Sequence, residues 1–196
     1  MHLKIRQYGD PILKQVGRKV IHFDDWLKGF AQDMVETLKF AHAAGLAAQH
    51  VGYALQVCVI DILESAKNLG ERLSVKVDEK PVPVNLLMPL VVVNPEVIPM
   101  ASKLVSYVEG SVSFPGIEVP ISRPEMIHLR YQDVGGNWHT LECGGILARC
   151  LFHEIDQMHG ILFIDKAERK DLVPFEGKLK KLKRSSLEFL KKGQEG

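Results

Sequence analysis

An α+β fold is what this chain predicts, on three observations. Short apolar runs rich in Val and Ile fill its middle. Apolar residues recur at helical spacing over residues 24–43 and 145–158. A leucine-spaced segment at 178–192 follows. Strands grouped in the middle with helices at the ends separate the two element types instead of alternating them, which is the α+β pattern.

In chain order, Tyr8, Gly9, Asp10, Pro11 and Ile12 read as a turn entering a short helix, with Pro in its first turn. Over residues 24–43 the stripe is Leu27, Phe30, Met34, Leu38 and Ala41, and Gly45 is expected to close the helix. Residues 55–60 are short, apolar and Val-rich, so they read as a buried strand. Residues 62–86 are mixed and polar, with Pro81 and Pro83, and read as a long excursion between strands. Residues 90–93 form another strand, expected to stop at Asn94 and Pro95. Further strands are expected at 104–108 and 126–131, and Gly135 and Gly136 turn the chain into one at 138–141. The helix Gly145–Met158 carries Ile146, Leu147, Cys150, Leu151, Ile155 and Met158 as its stripe and ends at Gly160. The segment 178–192 sets Leu179, Leu182, Leu187 and Leu190 against a basic remainder.

With 196 residues the chain can bury a sizeable core as one domain with an appendage, divided as 1–170 and a basic tail at 171–196. A net charge of +1 exerts no global pull towards DNA or a membrane surface. No stretch is long and apolar enough to span a bilayer, and Met1 to Ile5 is not the start of a secretory leader. Three cysteines, Cys58, Cys143 and Cys150, are few and odd in number, which fits a reducing cytoplasm better than a disulfide framework.

The chemistry concentrates at His153, Glu154 and Gln157. In the pattern H-E-x-x-H, two histidines one helical turn apart grip a divalent metal, and the Glu between them acts as base on the metal-bound water. Here Gln157 stands where the second His belongs, and a carboxamide is a poor, neutral ligand beside an imidazole. His159 is six residues past His153 and is turned off that face, as a surface or capping histidine. His2, His22, His42, His128 and His139 have no partner pattern.

Three segments together resemble the peptide deformylase family. The first is Gly45, Leu46, Ala47, Ala48, followed by Val51 and Gly52. The second is Glu109, Gly110, Ser111, Val112, Ser113, followed by Phe114 and Pro115. The third is His153, Glu154, Ile155, Asp156, followed by Gly160, Ile161, Leu162, Phe163, Ile164 and Asp165. Asn94, Pro95 and Glu96 lie between the first two, and the similarity reaches back to Gly9, Asp10 and Pro11 and to residues 33–37.

The resemblance implies the deformylase fold, a mixed antiparallel sheet around a central HExxH-type helix. It implies hydrolysis of the N-formyl group from formylmethionine of nascent chains, with Fe²⁺, or Zn²⁺ or Ni²⁺, held by a Cys and two His. Carried over residue by residue, the metal positions are Ser111, His153 and Gln157. The catalytic ones are Glu154 as base, His50 where the family has an oxyanion-binding Gln, and Val112 for the backbone amide. Gly45, Glu109 and Gly110 fall on the segments that pair with the substrate backbone. Ile146, Arg149 and Cys150 fall on the pocket for the Met side chain.

This chain departs from the pattern at Ser111, Gln157, His50 and Phe152, the last where the family usually has Gln. Losing two of three ligands implies a large drop in metal affinity, since even the loss of an outer partner costs about 10–100-fold. Arg149 brings a cation where an aliphatic side chain is expected, which biases the pocket towards acidic or polar groups. Three readings stay open: an impaired deformylase, a hydrolase whose metal site is remodelled around His50, and a non-catalytic homologue that keeps the groove for a formyl-Met or other extended peptide. Without a metal, Glu154 is a buried carboxyl that needs hydrogen bonds from Ser111, Gln157 or backbone. Glu109 reads as structural, positioning its strand. The tail reads as a solvated face, or, by the resemblance, as a ribosome contact.

Overall fold

The computed structural model describes residues 1–69 and 73–192. After a 3₁₀ turn at Pro11–Lys14 comes helix α1, Asp25–Phe40. Asp24 caps it, its carboxylate accepting the Leu27 N–H at 3.0 Å. The predicted stripe turns inward. Leu27, Phe30, Met34 and Leu38 pack against Leu46, Val57, Val59 and Val93. The helix does not run on to Gly45. His42 takes the left-handed conformation that ends it, with φ of 51°, and Gly45 opens strand β1, Gly45–Ala47.

A 3₁₀ turn at Ala48–Val51 leads to β2, Val57–Ile60, then helix α2, Leu63–Leu69. Next come β3 (Val75–Val77), β4 (Lys80–Pro81), a short helix α3 (Val84–Leu87) and β5 (Leu90–Ile98). Strands β6 (Leu104–Glu109), β7 (Val119–Pro124), β8 (Met126–Gln132) and β9 (Trp138–Gly144) precede helix α4, Gly145–Met158. Short α5, Arg169–Leu172, and α6, Glu176–Lys192, follow. Among the described residues, one antiparallel sheet has the order β1-β2-β5-β8-β9-β3-β4, and β6 pairs with β7 alone. Helix α4 lies across the large sheet, burying Leu147, Ala148, Leu151, Ile155 and Met158 against Ile60, Val92, Leu129 and Leu141.

Three sequence expectations need correction. Strand β5 continues through Asn94 and Pro95, with a register shift between Val93 and Glu96. Asn94 takes φ of 49°, and its amide both accepts from Val20 N–H and donates to Val20 O at 2.8 Å. Pro95 therefore sits in a bulge, where the ladder needs no donor from it. Strand β7 was not expected at all. Its inward positions are Val119, Ile121 and Arg123, and a buried cation followed by Pro124 breaks the apolar alternation. The excursion at 62–86 extends the sheet, because β3 pairs with β9.

That extension is fastened by His139, which had no partner pattern in the sequence. Its Nδ1 meets Asp78 Oδ2 at 2.8 Å and its Nε2 lies 3.3 Å from Asp133 Oδ2. Hydrogen bonding to Asp78, joined by Asp133 against a modest burial penalty, holds the imidazole above its ordinary value of 6.5. The charged form is therefore favoured on folding. Its stabilisation is present below the unfolded value and is lost as pH rises through the raised folded one. In urea denaturation, His139→Gln should cost about 0.2–1 kcal/mol near pH ~5.5 and nearly nothing near pH ~9. An equal cost at both pH values would remove the charged clamp from the account.

The tail helix is longer than expected, starting at Glu176. Leu179 and Leu182 pack with Phe175 beside Leu13, Phe114 and Phe163, while Lys178, Lys180, Lys181, Lys183 and Arg184 are exposed. Among the described residues no helix is long and apolar enough to cross a membrane.

Candidate active site

Helix α4 presents His153, Glu154 and Gln157 from the middle of the fold, and the three do not face the same surroundings. Gly45, Ile146, Arg149, Cys150, His153 and Glu154 line a groove of about 680 Å³. Glu109, Gly110, Ser111 and Val112 line its other side. Every predicted substrate-binding residue is thus in one place. Ser111 lies just past β6 rather than on a strand. The N-terminal segment fixes both loops. Arg6 N–H donates to His50 O at 2.7 Å, Gln7 Nε2 to Val112 O at 3.2 Å and Tyr8 N–H to Ser113 O at 2.9 Å.

His153 is held from below. Its Nδ1 lies 2.9 Å from Glu109 Oε2. Burial pushes the Glu109 carboxyl up, but hydrogen bonds from His153 and Arg123 outweigh this and bring it down to about 2. An ionised Glu109 only accepts, so Nδ1 carries a proton; burial pulls His153 down, but the hydrogen bond to Glu109 and the charges of Glu154 and Glu109 outweigh it and hold the imidazole above its ordinary value. Arg123, 2% exposed, grips Glu109 through Nε and Nη2 and gives Nη1 to Asp156 at 2.7 Å. Lys166 is the second cation on Asp156, at 2.7 Å. Glu109 therefore does position its strand, as expected, and orients the histidine as well. Sequence reasoning missed Arg123 and the role of Asp156. The available signals were Asp156 three residues after His153, on the same side of the helix, and an Arg at the buried phase of a strand.

Gln157 looks the other way. It is 3% exposed, and its Nε2 donates to the Leu13 carbonyl at 2.7 Å. It gives no hydrogen bond to Glu154. Gln49 is likewise structural: fully buried, it donates to the Met158 carbonyl at 3.2 Å, beside the Gly17 N–H at 2.7 Å. Gln49 and the Gly17 N–H thus satisfy a carbonyl at the end of α4 that has no partner inside the helix, while Gln157 satisfies one in the N-terminal turn.

His50, Ser111 and Glu154 form a contact chain. His50 Nε2 is 3.4 Å from Ser111 Oγ, and His50 Nδ1 is 3.6 Å from Glu154 Oε2. The order is that of a Ser-His-acid triad, but the protons are wrongly placed. The Ala47 N–H donates to Nδ1 at 3.0 Å, so Nδ1 is an acceptor. Burial, helped by the His153 charge, takes His50 down to about 3, so the ring is neutral with its proton on Nε2. Nδ1 has no proton for Glu154, and Nε2 has no lone pair to activate Ser111. Burial pushes Glu154 up to about 7, against the pull of His153 and of the Ala47 N–H. Glu154 and His50 are therefore not an ion pair.

A divalent metal held by the expected positions does not fit these donors. Among the described residues, no group of three or more His, Cys, Asp or Glu side chains is placed to hold one. Ser111 offers a neutral hydroxyl, Gln157 points its amide into the core, and His50 has Nδ1 occupied and Nε2 protonated. Cys58, Cys143 and Cys150 are buried and free, and burial raises all three thiols. In the side-chain pocket, the Arg149 guanidinium lies 3.4 Å over the Tyr107 ring, so the cation and an aromatic share space expected for an aliphatic group.

Compared with known proteins, residues 2–172 match the model of the polypeptide deformylase family. The chain belongs to the peptide deformylase family. It is 40% identical over 183 residues to a peptide deformylase of Opitutus terrae, covering 93% of each chain. To that of Dictyoglomus turgidum it is 37% identical over 167 residues, covering 85% of this chain and 94% of the relative. A crystal structure of Plasmodium falciparum peptide deformylase superposes with a TM-score of 0.77 at 31% identity, over 93% of this chain and 96% of that one. The Arabidopsis thaliana enzyme in complex with an inhibitor gives 0.78 at 28% identity, over 95% and 93%. The fold expected from the deformylase motifs is the observed one.

The deformylase groove depends on Arg123. Replacing it with Met leaves Glu109 and Asp156 facing each other at the base of the site, with Lys166 left to serve Asp156 alone. Breaking a buried pair this way costs about 3–5 kcal/mol. Arg123→Met should lower the urea midpoint accordingly, and a change below about 1 kcal/mol would show that the network is not holding β7 to α4.

Proposed function

We propose that this chain is a peptide-binding member of the deformylase family in which metal-dependent deformylation is lost or reduced by orders of magnitude. The family's reaction is the metal-dependent removal of the formyl group from nascent peptides. The observation that carries the proposal is the 2.7 Å hydrogen bond from Gln157 to the Leu13 carbonyl. The side chain at the second histidine position serves the core, so it is neither the right donor nor aimed at the groove. Ser111 supports the same reading, because a neutral hydroxyl does not replace a thiolate. The neutral, Nε2-protonated His50 speaks against a metal site rebuilt around it. What survives is the part of the site that holds an extended chain: Gly45 and the loop at Gly110, Ser111 and Val112 on facing sides of the groove.

Protein purified without added metal should carry far less than one equivalent of Fe, Zn or Ni by mass spectrometry. Its turnover of formyl-Met peptides should fall several orders of magnitude below that of an intact relative, since one oxyanion donor alone is worth about 10²–10³ in rate. The combined variant Ser111→Cys, Gln157→His, His50→Gln should regain stoichiometric metal. Its rate should return only in part, because Arg149 and Tyr107 still crowd the pocket. Chelator-resistant stoichiometric metal in the wild type, or ordinary turnover, would overturn the proposal.

A further inference from the structure

We propose that Gln7 is a positioning residue for the groove, joining helix α6 on one side to the loop at 111–113 on the other, so that the seating of the C-terminal helix sets how tightly a peptide is held. The inference deepens the peptide-binding reading above and rests on it. The ladder between β6 and β7 ends at Glu109 and Val119. Past that point the loop is tied to itself by the Ser113 N–H to Ser111 Oγ at 3.3 Å and the Phe114 N–H to Ser111 O at 2.9 Å. Its next two carbonyls are held from outside. Val112 O accepts Gln7 Nε2 at 3.2 Å, and Ser113 O accepts the Tyr8 N–H at 2.9 Å. Ser111 and Val112 line the groove, so two bonds from neighbouring residues orient one of its sides. A carbonyl only accepts, so Val112 selects the nitrogen end of the Gln7 amide and leaves Oε1 buried without a donor. Leaving that oxygen unserved is costly, and the bond to Val112 is what the arrangement secures.

The same residue is gripped from behind. Arg6 and Tyr8 send their N–H groups towards His50 and Ser113, and the Gln7 carbonyl between them turns the opposite way, as alternate peptide groups of an extended segment do. There it accepts the Ser186 hydroxyl at 3.2 Å. Ser186 is 8% exposed and shares a face of α6 with Leu179 and Leu182, by helical spacing. A hydroxyl on the buried stripe of a basic helix thus has a backbone carbonyl of the N-terminal segment as its partner. Helix and segment meet closely at Gly9, where φ is 108° and a Cβ would stand 2.7 Å from Lys183 Cα. Lys178 Nζ donates to Gly116 O at 3.0 Å, and Leu182 packs in one cluster with Phe114, so α6 also fastens the outgoing end of the loop. Strand β6 delivers the loop to the groove. The N-terminal segment, backed by α6, decides the direction in which the loop leaves.

Two variants of the full chain, alone and combined, test this: Gln7→Met, which keeps the length and loses the donor, and Ser186→Ala, which lies outside the groove. The readouts are amide hydrogen exchange by NMR and isothermal titration with a Met-initiated tripeptide amide. Gln7→Met should speed exchange at Ser113 and Phe114 by about fivefold or more, beyond any rise in β2, and weaken the peptide by a similar factor. Ser186→Ala should do both by about threefold, and add less than about 1.5-fold in the Gln7→Met background, because its effect passes through Gln7. Equal rises in the loop and in β2 would make Gln7 a residue of overall stability and overturn the inference. An undiminished Ser186→Ala effect in the Gln7→Met background would overturn it too, since α6 would then reach the loop by another route. If both variants bind the peptide as tightly as the wild type, the inference fails and the groove reading stands. If the wild type binds no peptide at millimolar concentration, both fail.

Discussion

The buried guanidinium of Arg123 holds the site together. It comes from β7, grips Glu109 on β6 and reaches Asp156 on α4, so one side chain joins the small sheet to the central helix. Glu109 in turn holds the orientation of His153. Burying three ionised groups is expensive, and the arrangement holds because the guanidinium's donors and the carboxylate oxygens meet at short range. The position of the loop at Ser111 follows from where β6 is pinned, and the width of the groove follows from both.

The fold was legible where packing and chain pattern agree. Helices α1 and α4 bury the residues their spacing picks out, except Ala41, which lies past the end of α1, and Ile146, which is only partly buried, and α4 has the predicted bounds. The pattern failed where a polar group does a structural job inside the protein. Strand β7 was hidden because its inward phase carries Arg123. Strand β5 was cut short because Asn94 and Pro95 read as an end when they form a bulge. His42, not Gly45, supplies the left-handed residue after α1, a conformation that is uncommon for any residue with a side chain and that the apolar spacing does not mark.

Ser111, His50 and Glu154 lie side by side while Gln157 turns into the core, and the protonation of the three was not readable from the motifs. That Ser111, His50 and Glu154 touch in series depends on three separate segments. That the series cannot run as a triad depends on one backbone N–H, that of Ala47, which no side-chain pattern encodes. Gln157 is the converse case. The sequence flagged it as a poor ligand, and the fold gives it a partner, Leu13, 144 residues away in the chain.

Strand β4 closes the far end of the large sheet with two residues, Lys80 and Pro81. A proline lacks the N–H that a newcomer strand would need, and an exposed lysine discourages stacking by charge. That rim is thereby guarded against edge-to-edge association with other copies. At the opposite rim, β1 is three residues long and borders the groove, across from the unpaired side of β6. Open backbone thus borders the groove, where stickiness towards extended chains and the capacity to hold a chosen one meet in the same few residues.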